Sequence, residues 1–153
     1  MIAYRIADSR HRIFDSSGAE QSGGRWNSPG VPVIYASESY ASALLEVLVH
    51  LQMNQPAKHH RLVKIFLPDI DPVETVNADN LADWDADDMK ASRAVGDAWV
   101  AGKRTAVLRV PSIITRGHEF NLVINPAHPA FERIQVSAPE PVHWDTRLLR
   151  SRK

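Results

Sequence analysis

One helical segment constrains the fold of this chain more than any other feature. At about 100° per residue, residues 39–51 place apolar side chains around most of the helix. These side chains are Tyr40, Leu44, Val47, Leu48 and Leu51 on one face, with Leu45 and Val49 on another side. Ser37 or Ser39 can serve as the N-cap. A helix this apolar is expected to be mostly buried.

A narrow polar strip remains on that helix, and it contains the only carboxylate. Ser42, Glu46 and His50 lie at positions i, i+4 and i+8. Because glutamate is rarely buried without a partner, Glu46 either reaches a cleft or is paired inside the protein. In a cleft it would act as an electrostatic stabiliser or a general base. The alternative is a structural salt bridge, for example with an arginine.

The order of the predicted elements indicates the fold class. Strands are predicted at 3–6, 31–36, 60–67, 105–110, 121–124 and 131–136, and a second helix at 89–101 with Gly102 as its C-terminal stop. Residues 16–30 are predicted to form a loop. Strands and helices do not alternate as in a doubly wound fold. The chain is therefore predicted to be a single α+β domain with a mixed or mainly antiparallel sheet.

Composition excludes several classes of function. Eighteen Lys and Arg balance eighteen Asp and Glu, so a net charge of 0 argues against direct DNA binding. The absence of cysteine excludes disulfides, thiolate catalysis and cysteine-based zinc sites. The N-terminus lacks the apolar core of a secretory signal, and no apolar run approaches the ~18 residues of a membrane span. We expect a cytoplasmic protein without a membrane segment.

The charges are nevertheless unevenly distributed. Eight acidic residues and no Lys or Arg lie between positions 69 and 88. The C-terminus is basic, with Arg147, Arg150, Arg152 and Lys153 among its last seven residues. These segments are either a solvated loop and a mobile tail or two surfaces for partners.

The segment Gly23-Gly24-Arg25-Trp26-Asn27 resembles a ligand-binding loop. The two glycines allow the backbone to approach a ligand closely, and Arg25 can bind a phosphate or carboxylate with its planar fork. Trp26 adds a large flat face. The alternative is a tight turn with a surface arginine and a packed tryptophan. The segment lacks the Lys-Ser/Thr pair of a P-loop.

Two more candidates follow predicted strands. Tyr35 ends the strand before the apolar helix, where its ring either stacks on a planar ligand or belongs to the core. Ser112 follows Pro111 at another strand end. Its hydroxyl can bond a carboxylate or a ligand amide, although a loop serine often has no special role. The seven scattered histidines indicate no metal site.

Taken together, these residues resemble the RES domain family, which is named for arginine, glutamate and serine. The resemblance covers nearly the whole chain, 1–153, and its pieces occur in family order. They are Tyr4-Arg5-Ile6, Gly24-Arg25-Trp26-Asn27, Ile34-Tyr35-Ala36-Ser37, Leu45-Glu46-Val47-Leu48, Gly96-x-x-Trp99, Val110-Pro111-Ser112 and Asn121-x-x-Ile124-Asn125-Pro126-x-His128-Pro129.

The resemblance implies a fold similar to ADP-ribosyltransferase toxins and a function in a bacterial toxin–antitoxin pair. The implied partner is an antitoxin with an Xre-type DNA-binding domain, and a homodimer within the complex is compatible with it. NAD+ is the implied substrate, with no cofactor and no metal. The implied catalytic residues are Glu46, Arg25 and Ser112. The implied NAD+-binding residues are Arg25, Tyr35, Tyr4, Trp26 and Asn121.

Elementary chemistry agrees with this assignment. Breaking the nicotinamide–ribose bond builds a cation on the ribose, which a fixed carboxylate such as Glu46 stabilises. Nicotinamide leaves from a cationic ring, so no strong general acid is needed. Arg25 would hold phosphates or ribose hydroxyls, and Ser112 would orient Glu46 or the carboxamide. Asn121 would shape the pocket.

Three functional hypotheses remain open from the sequence. The first is an NAD+ glycohydrolase or phosphorylase, with water or phosphate as the acceptor. The second is a protein ADP-ribosyltransferase that uses the same site. The third is a non-catalytic module that binds a nucleotide or a partner, in which Glu46 and Arg25 form an ion pair.

Overall fold

The computed structural model describes residues 1–51, 58–68 and 73–149. Eight strands lie at Ile2–Asp8 (β1), Ile34–Ser37 (β2), His60–Phe66 (β3), Glu74–Thr75 (β4), Val107–Pro111 (β5), Phe120–Ile124 (β6), Gln135–Val136 (β7) and Glu140–Pro141 (β8). Three α-helices lie at Ser17–Ser22 (α1), Tyr40–His50 (α2) and Lys90–Gly102 (α3). Short 3₁₀ helices lie at Ala78–Asn80, Pro129–Arg133 and Thr146–Leu149. No described helix has the length and hydrophobicity needed to cross a bilayer.

All eight strands form one mixed sheet. The strand order is β4-β5-β6-β2-β1-β3-β7, and β8 also pairs with β3. Strands β4 and β5 are parallel, and the other described pairs are antiparallel. This arrangement confirms the predicted α+β class with a mixed, mainly antiparallel sheet.

The sheet separates two hydrophobic cores. Alternate strand residues such as Ile34, Ile65 and Ile124 point to one side, into a core that includes Phe14 and Phe131. The residues between them point to the other side. There Val33, Leu108, Val110 and Val123 pack with Trp26, Trp84 and Trp99. Since α2 and α3 both cover this second side, we call it the α2 face.

Helix α2 begins where the sequence predicts, because the Ser39 hydroxyl accepts a hydrogen bond from the Ser42 amide at 3.0 Å. The helix packs against β1 and β2 with one side only. The expectation of a mostly buried helix is therefore wrong in part. Leu45 is 41% and Val49 62% exposed, while the polar Ser42 is 5% exposed and faces the sheet.

The other large difference lies at residues 131–136, where the apolar pattern predicts a strand. The structure has the 3₁₀ helix Pro129–Arg133 there, followed by the two-residue strand β7. His128 caps this helix, since its Nδ1 accepts a hydrogen bond from the Ala130 amide at 3.1 Å. Proline in the first turn has a φ angle suited to a helix. Local capping therefore outweighs the apolar pattern.

Smaller corrections concern helix ends and loops. The predicted loop at 16–30 contains the short helix α1. Gly102 does not stop α3 but lies inside it, and Lys103 adopts the left-handed φ of 46° instead. Strand β8 and the 3₁₀ helix Thr146–Leu149 have no counterpart among the predicted elements.

The two charged segments are only partly described. In the acidic segment, Glu74 forms an ion pair with Arg104 at 2.8 Å, while Asp69 and Asp71 lie outside the described residues. At the C-terminus, Arg147 pairs with Asp145 at 2.6 Å. The remaining basic residues, Arg150, Arg152 and Lys153, lie outside the described part of the chain.

Candidate active site

The candidate site is built on the α2 face of the three central strands. Tyr4 on β1 is in register with Ser37 on β2, and Ser37 is in register with Asn121 on β6. Residues in register point to the same face of a sheet. Tyr35 precedes Ser37 by two residues and shares this face. The sheet thus brings together side chains from positions far apart in the chain.

Glu46 is held over this face by a chain of hydrogen bonds. The Asn121 amide Nδ2 donates to Glu46 Oε1 at 2.6 Å, and the Ser37 hydroxyl donates to Asn121 Oδ1 at 3.0 Å. Ser37 thereby fixes the orientation of the amide, and the amide fixes the carboxylate. Among the described residues Glu46 forms no ion pair, so the alternative of a buried salt bridge with an arginine is wrong.

The arginine loop, residues 23–28, is docked on one face of α3. The Arg93 Nε donates to the Gly24 carbonyl at 2.8 Å, and the Asp97 carboxylate accepts from the Ser28 amide at 2.9 Å and the Ser28 hydroxyl at 2.5 Å. Between them, a Cβ on Gly96 would lie 1.7 Å from the Trp26 carbonyl oxygen. The helix therefore needs a glycine here for the loop to approach.

Arg25 reaches from this loop to the acidic segment. Its Nη1 donates to the carbonyls of Trp84 and Ala86 at 3.1 and 2.9 Å. These contacts are to backbone oxygens rather than to carboxylates. Within the described residues, no hydrogen bond is seen from Nε or Nη2 of Arg25. This half of the planar fork is chemically suited to bind a phosphate or a carboxylate.

Tyr35 on β2 fixes the arginine loop from the side of the sheet. Its hydroxyl accepts from the Trp26 amide at 3.0 Å and donates to Asn27 Oδ1 at 2.7 Å. Burial raises the pKa of the Tyr35 phenol to about 12. A Cβ on Gly24 would lie 2.6 Å from this hydroxyl, so the second glycine of the motif makes room for Tyr35 rather than for a ligand.

Trp26 does not present a flat face to a ligand. Its exposure is 2%, and its ring belongs to the core between the sheet and α3. The flat face expected of Trp26 is therefore buried, and the alternative of a packed tryptophan is confirmed. The assignment of Trp26 to NAD+ binding stays a prediction. The stacking role predicted for Tyr35 remains a prediction, with its hydroxyl already engaged by the loop.

Tyr4 and Arg5 are neighbours in β1 and lie on opposite faces of the sheet. The Tyr4 ring lies 6.3 Å from the ring of Tyr40 on α2, at the edge of the site. Arg5 donates from Nη1 to the Tyr35 carbonyl at 2.7 Å and from Nε to the Ile13 carbonyl at 2.6 Å. Burial lowers the pKa of the Arg5 guanidinium. Arg5 thus holds the Tyr35 backbone from the side opposite the site.

Ser112 is close to the site but does not orient Glu46. It is 3% exposed, and its amide donates to the Glu119 carbonyl at 2.9 Å. The hydrogen bond to Glu46 comes from Asn121 instead, so that part of the Ser112 prediction is wrong. Its predicted contact with the carboxamide of a ligand remains a prediction.

Sequence reasoning misses Ser37, Asn27 and Glu119. Ser37 appears there as a possible helix cap and as the last residue of one family motif, and Asn27 as part of the loop motif, but neither is given a role in the site. Glu119 accepts a hydrogen bond at Oε2 from the Ser42 hydroxyl at 2.6 Å. Ser42 lies one helical turn before Glu46, so the sequence indicates that Ser42 is near the site. It does not indicate that Ser42 contacts Glu119. Among the described residues, no cluster of histidine and carboxylate side chains has the geometry of a metal site.

Comparison with known proteins supports the resemblance seen in the sequence. The family model described as RES domain matches residues 2–145. A protein of Sphingobium sp. (strain YBL2) named "Prs ADP-ribosylating toxin" is 39% identical over 138 residues, which are 88% of this chain and 85% of the relative. A "Toxin Res" of Yersinia enterocolitica serotype O:8 / biotype 1B is 32% identical over an alignment of 153 positions, which covers 97% of this chain and 99% of the relative.

A solved structure has a similar fold. It is the crystal structure of the M. tuberculosis MbcT-MbcA toxin-antitoxin complex, and it superposes with a TM-score of 0.75. The similarity covers 97% of this chain and 86% of that chain, at 23% sequence identity.

Proposed function

Because this chain belongs to the RES domain family, we propose that it is the toxin of a toxin–antitoxin pair and that it cleaves the nicotinamide–ribose bond of NAD+. The observation that carries the proposal is the fixed Glu46 carboxylate. Asn121 and Ser37 hold it over the sheet, on the same face as Tyr4 and Tyr35.

The reaction needs what this site supplies. As the bond between C1′ and the nicotinamide nitrogen stretches, positive charge builds on the ribose, and the oriented Glu46 carboxylate stabilises that charge. The electron pair of the bond neutralises the pyridinium ring, so the leaving group needs no proton. The described part of the site offers no strong general acid, which is consistent with this chemistry.

We assign substrate binding to Arg25. Its Nη1 is bonded to two backbone carbonyls, which orients the guanidinium and leaves Nε and Nη2 to bind the diphosphate. The arginine loop reaches Tyr35, and Tyr35 precedes Ser37 on β2. Arg25 would thus bind the diphosphate of NAD+ and Glu46 would face its nicotinamide ribose. Both residues are held through hydrogen bonds that lead to β2, by way of Tyr35 and Ser37 respectively.

The acceptor in the first proposal is water or phosphate, so that the chain is an NAD+ glycohydrolase or phosphorylase. A protein ADP-ribosyltransferase is the second candidate, and the relative named "Prs ADP-ribosylating toxin" favours it at 39% identity. Both use the same bond cleavage and the same Glu46, and NAD+ is a substrate in each.

The proposed partner is an antitoxin with an Xre-type DNA-binding domain. The relatives named "Toxin Res" and the solved toxin-antitoxin complex support an antitoxin, and the chain's net charge of 0 suits DNA contact through the partner. We place the protein in the cytoplasm. A homodimer within the complex would be detected by measuring the mass of the co-purified assembly.

The test is NAD+ consumption by the purified chain, with and without phosphate. Wild type is compared with Glu46→Gln and with Glu140→Gln as a matched control, because Glu140 pairs with Lys64 at 2.8 Å on a surface edge of the sheet. Glu46→Gln should lose at least about 100-fold in turnover, as expected for a charge that acts in the transition state. Glu140→Gln should behave as wild type.

The products identify the acceptor. Free ADP-ribose indicates hydrolysis, and ADP-ribose 1″-phosphate formed only with phosphate indicates phosphorolysis. Labelled ADP-ribose on a lysate protein, with no free product, would favour the transferase. Full activity of Glu46→Gln would overturn the mechanism, and no reaction of the wild-type chain with any acceptor would overturn the proposed function.

A further inference from the structure

A second carboxylate, that of Glu119, is anchored on α2 one helical turn before Glu46. Glu119 immediately precedes β6 and lies two residues before Asn121, so their side chains point to the same side. The Glu119 carboxylate accepts a hydrogen bond from the Ser42 hydroxyl at 2.6 Å. The Glu46 carboxylate likewise accepts one from the Asn121 amide at 2.6 Å. Glu119 itself is exposed.

The two contacts have matching spacings on helix and strand. Ser42 and Glu46 are four residues apart on α2, a rise of about 6 Å. Glu119 and Asn121 are two residues apart, a rise of about 6.6 Å. The helix therefore runs alongside the strand, and the two carboxylates are anchored about one helical turn apart. In sugar hydrolysis, an inverting pair of carboxylates separated by about 6.5–9.5 Å has room for a water molecule between them.

The site connects Glu119 to a further candidate residue. The Glu119 backbone carbonyl accepts a hydrogen bond from the Ser112 amide at 2.9 Å. Ser112, just after β5, and Glu119, just before β6, are therefore neighbours. Glu38, the other acidic residue near the start of α2, is already engaged in an ion pair with Arg109. Glu119 has no ion pair among the described residues, and within them no hydrogen bond is seen at its second oxygen, Oε1.

We propose that Glu119 is the catalytic residue that accepts the proton of the incoming water; this inference rests on the proposed cleavage of NAD+. The water oxygen forms a bond to C1′ of the ribose while the C1′–nitrogen bond breaks. The electron pair of the C1′–nitrogen bond leaves with nicotinamide. The proton released by the water moves to the Glu119 carboxylate. Glu46 stabilises the cation, and Glu119 supplies the nucleophile.

Two complementary variants separate this role from a structural one. Glu119→Gln keeps an amide oxygen that can accept the Ser42 hydroxyl but has no basic carboxylate. Ser42→Ala keeps the carboxylate but removes the hydrogen bond. Hydrolysis of NAD+ by the full-length chain is measured for both variants and wild type, with and without sodium azide. Azide is an anionic nucleophile that has no proton to lose.

Glu119→Gln should lose about 100-fold or more in kcat for hydrolysis, with little change in KM for NAD+. Azide should restore NAD+ consumption by Glu119→Gln and yield ADP-ribosyl azide, because the missing base is then unnecessary. Ser42→Ala should lose less than about tenfold. Melting temperatures of both variants close to that of wild type would show that the folds are intact.

Other outcomes overturn the assignment. Hydrolysis by Glu119→Gln within about threefold of wild type excludes a base. If both variants lose kcat equally and azide does not restore NAD+ consumption, Glu119 has a structural role only. Its hydrogen bond with Ser42 then serves to hold α2 against the sheet. If wild type hydrolyses NAD+ and Glu119→Gln does so at a similar rate without azide, only the role of Glu119 is refuted, whereas inactive wild type refutes the proposed function itself.

Discussion

At the scale of single residues, Tyr35 shows how a half-buried phenol fixes a loop. Its hydroxyl both accepts and donates a hydrogen bond, and both partners belong to the arginine loop. Burial in the core beside Trp26 raises the pKa of the phenol to about 12. The protonated form is therefore the one that holds the loop.

This raised pKa predicts a loss of stability in alkaline solution. The unfolded phenol ionises near 10.0, whereas the folded phenol stays protonated to about 12. The contribution to stability is thus complete below pH 10 and is lost as pH rises toward 12, by up to ~3 kcal/mol. Urea unfolding at a series of pH values should show this slope for wild type and a smaller slope for Tyr35→Phe. Parallel curves would refute the assignment.

Asn121 allows a second residue-scale prediction. In Asn121→Asp, the donor that faces Glu46 becomes an oxygen, and two like charges then oppose each other. We expect NAD+ turnover at neutral pH to fall about 100-fold, in the range that follows the loss of an oriented catalytic charge. Asn80→Asp makes the same change on the surface and should leave turnover intact. Equal turnover in the two variants would exclude Asn121 from orienting Glu46.

Sequence reasoning predicts the candidate site residues Glu46 and Arg25 but not the residues that they contact. Glu46 and Arg25 stand out because a lone carboxylate on an apolar helix and an arginine after two glycines are unusual. The pairing of Glu46 with Asn121 depends on strand register across 75 positions, which no local pattern specifies. The burial of Trp26 likewise depends on α3, which is distant in sequence.

At the scale of secondary structure, α3 determines the position of the arginine loop. Arg93, Gly96 and Asp97 lie on one face of the helix, and all three act on residues 23–28. This docking requires a glycine at position 96, because a Cβ there would overlap the Trp26 carbonyl oxygen.

Gly96→Ala should therefore destabilise the protein, by about 3 kcal/mol or more, because the clash involves backbone on both sides. Gly18→Ala is the matched control: it lies in α1 with no atom within 4 Å of the added Cβ. Alanine there should stabilise slightly, by about 0.5–1 kcal/mol. Urea midpoints measure both changes. Similar midpoints for wild type and Gly96→Ala would show that α3 and the loop separate easily.

Elements with a strong local signal are predicted well. Strand β3 follows from its alternation, and helix α2 from its apolar periodicity after a serine cap. Strands β1 and β6 also lie where short strands are predicted. Residues 131–136 are misassigned because three apolar residues in a segment of six do not distinguish a strand from a capped 3₁₀ turn. The exposure of Leu45 and Val49 cannot be predicted, since periodicity does not show which side of a helix has a neighbour.

At the scale of the whole molecule, one sheet supports two cores. Ile124 is fully buried on one side and Val123 on the other, although they are adjacent in β6. Three of the four tryptophans lie on the α2 face. The mixed sheet and α+β class follow from the lack of alternation, but the strand order does not, because pairing partners lie far apart in the chain.

A shared sheet predicts cooperative unfolding. Ile124→Ala removes side-chain volume on the face opposite the tryptophans and should cost about 2–5 kcal/mol. If the two cores form one unit, tryptophan fluorescence and far-UV circular dichroism should shift together in urea by the same amount. Val123→Ala serves as the comparison on the α2 face. A shift in circular dichroism without one in fluorescence would mean that the cores unfold separately.

The strand order also has a consequence for the time at which the protein is synthesised. Strand β6 lies between β2 and β5 in the sheet but follows them late in the chain. Until residues 120–124 have left the ribosome, β2 lacks its neighbour and Glu46 lacks Asn121. A nascent chain that ends before β6 therefore lacks the Asn121 contact that orients Glu46 in the candidate site. Assembly of the candidate site thus waits for the synthesis of β6.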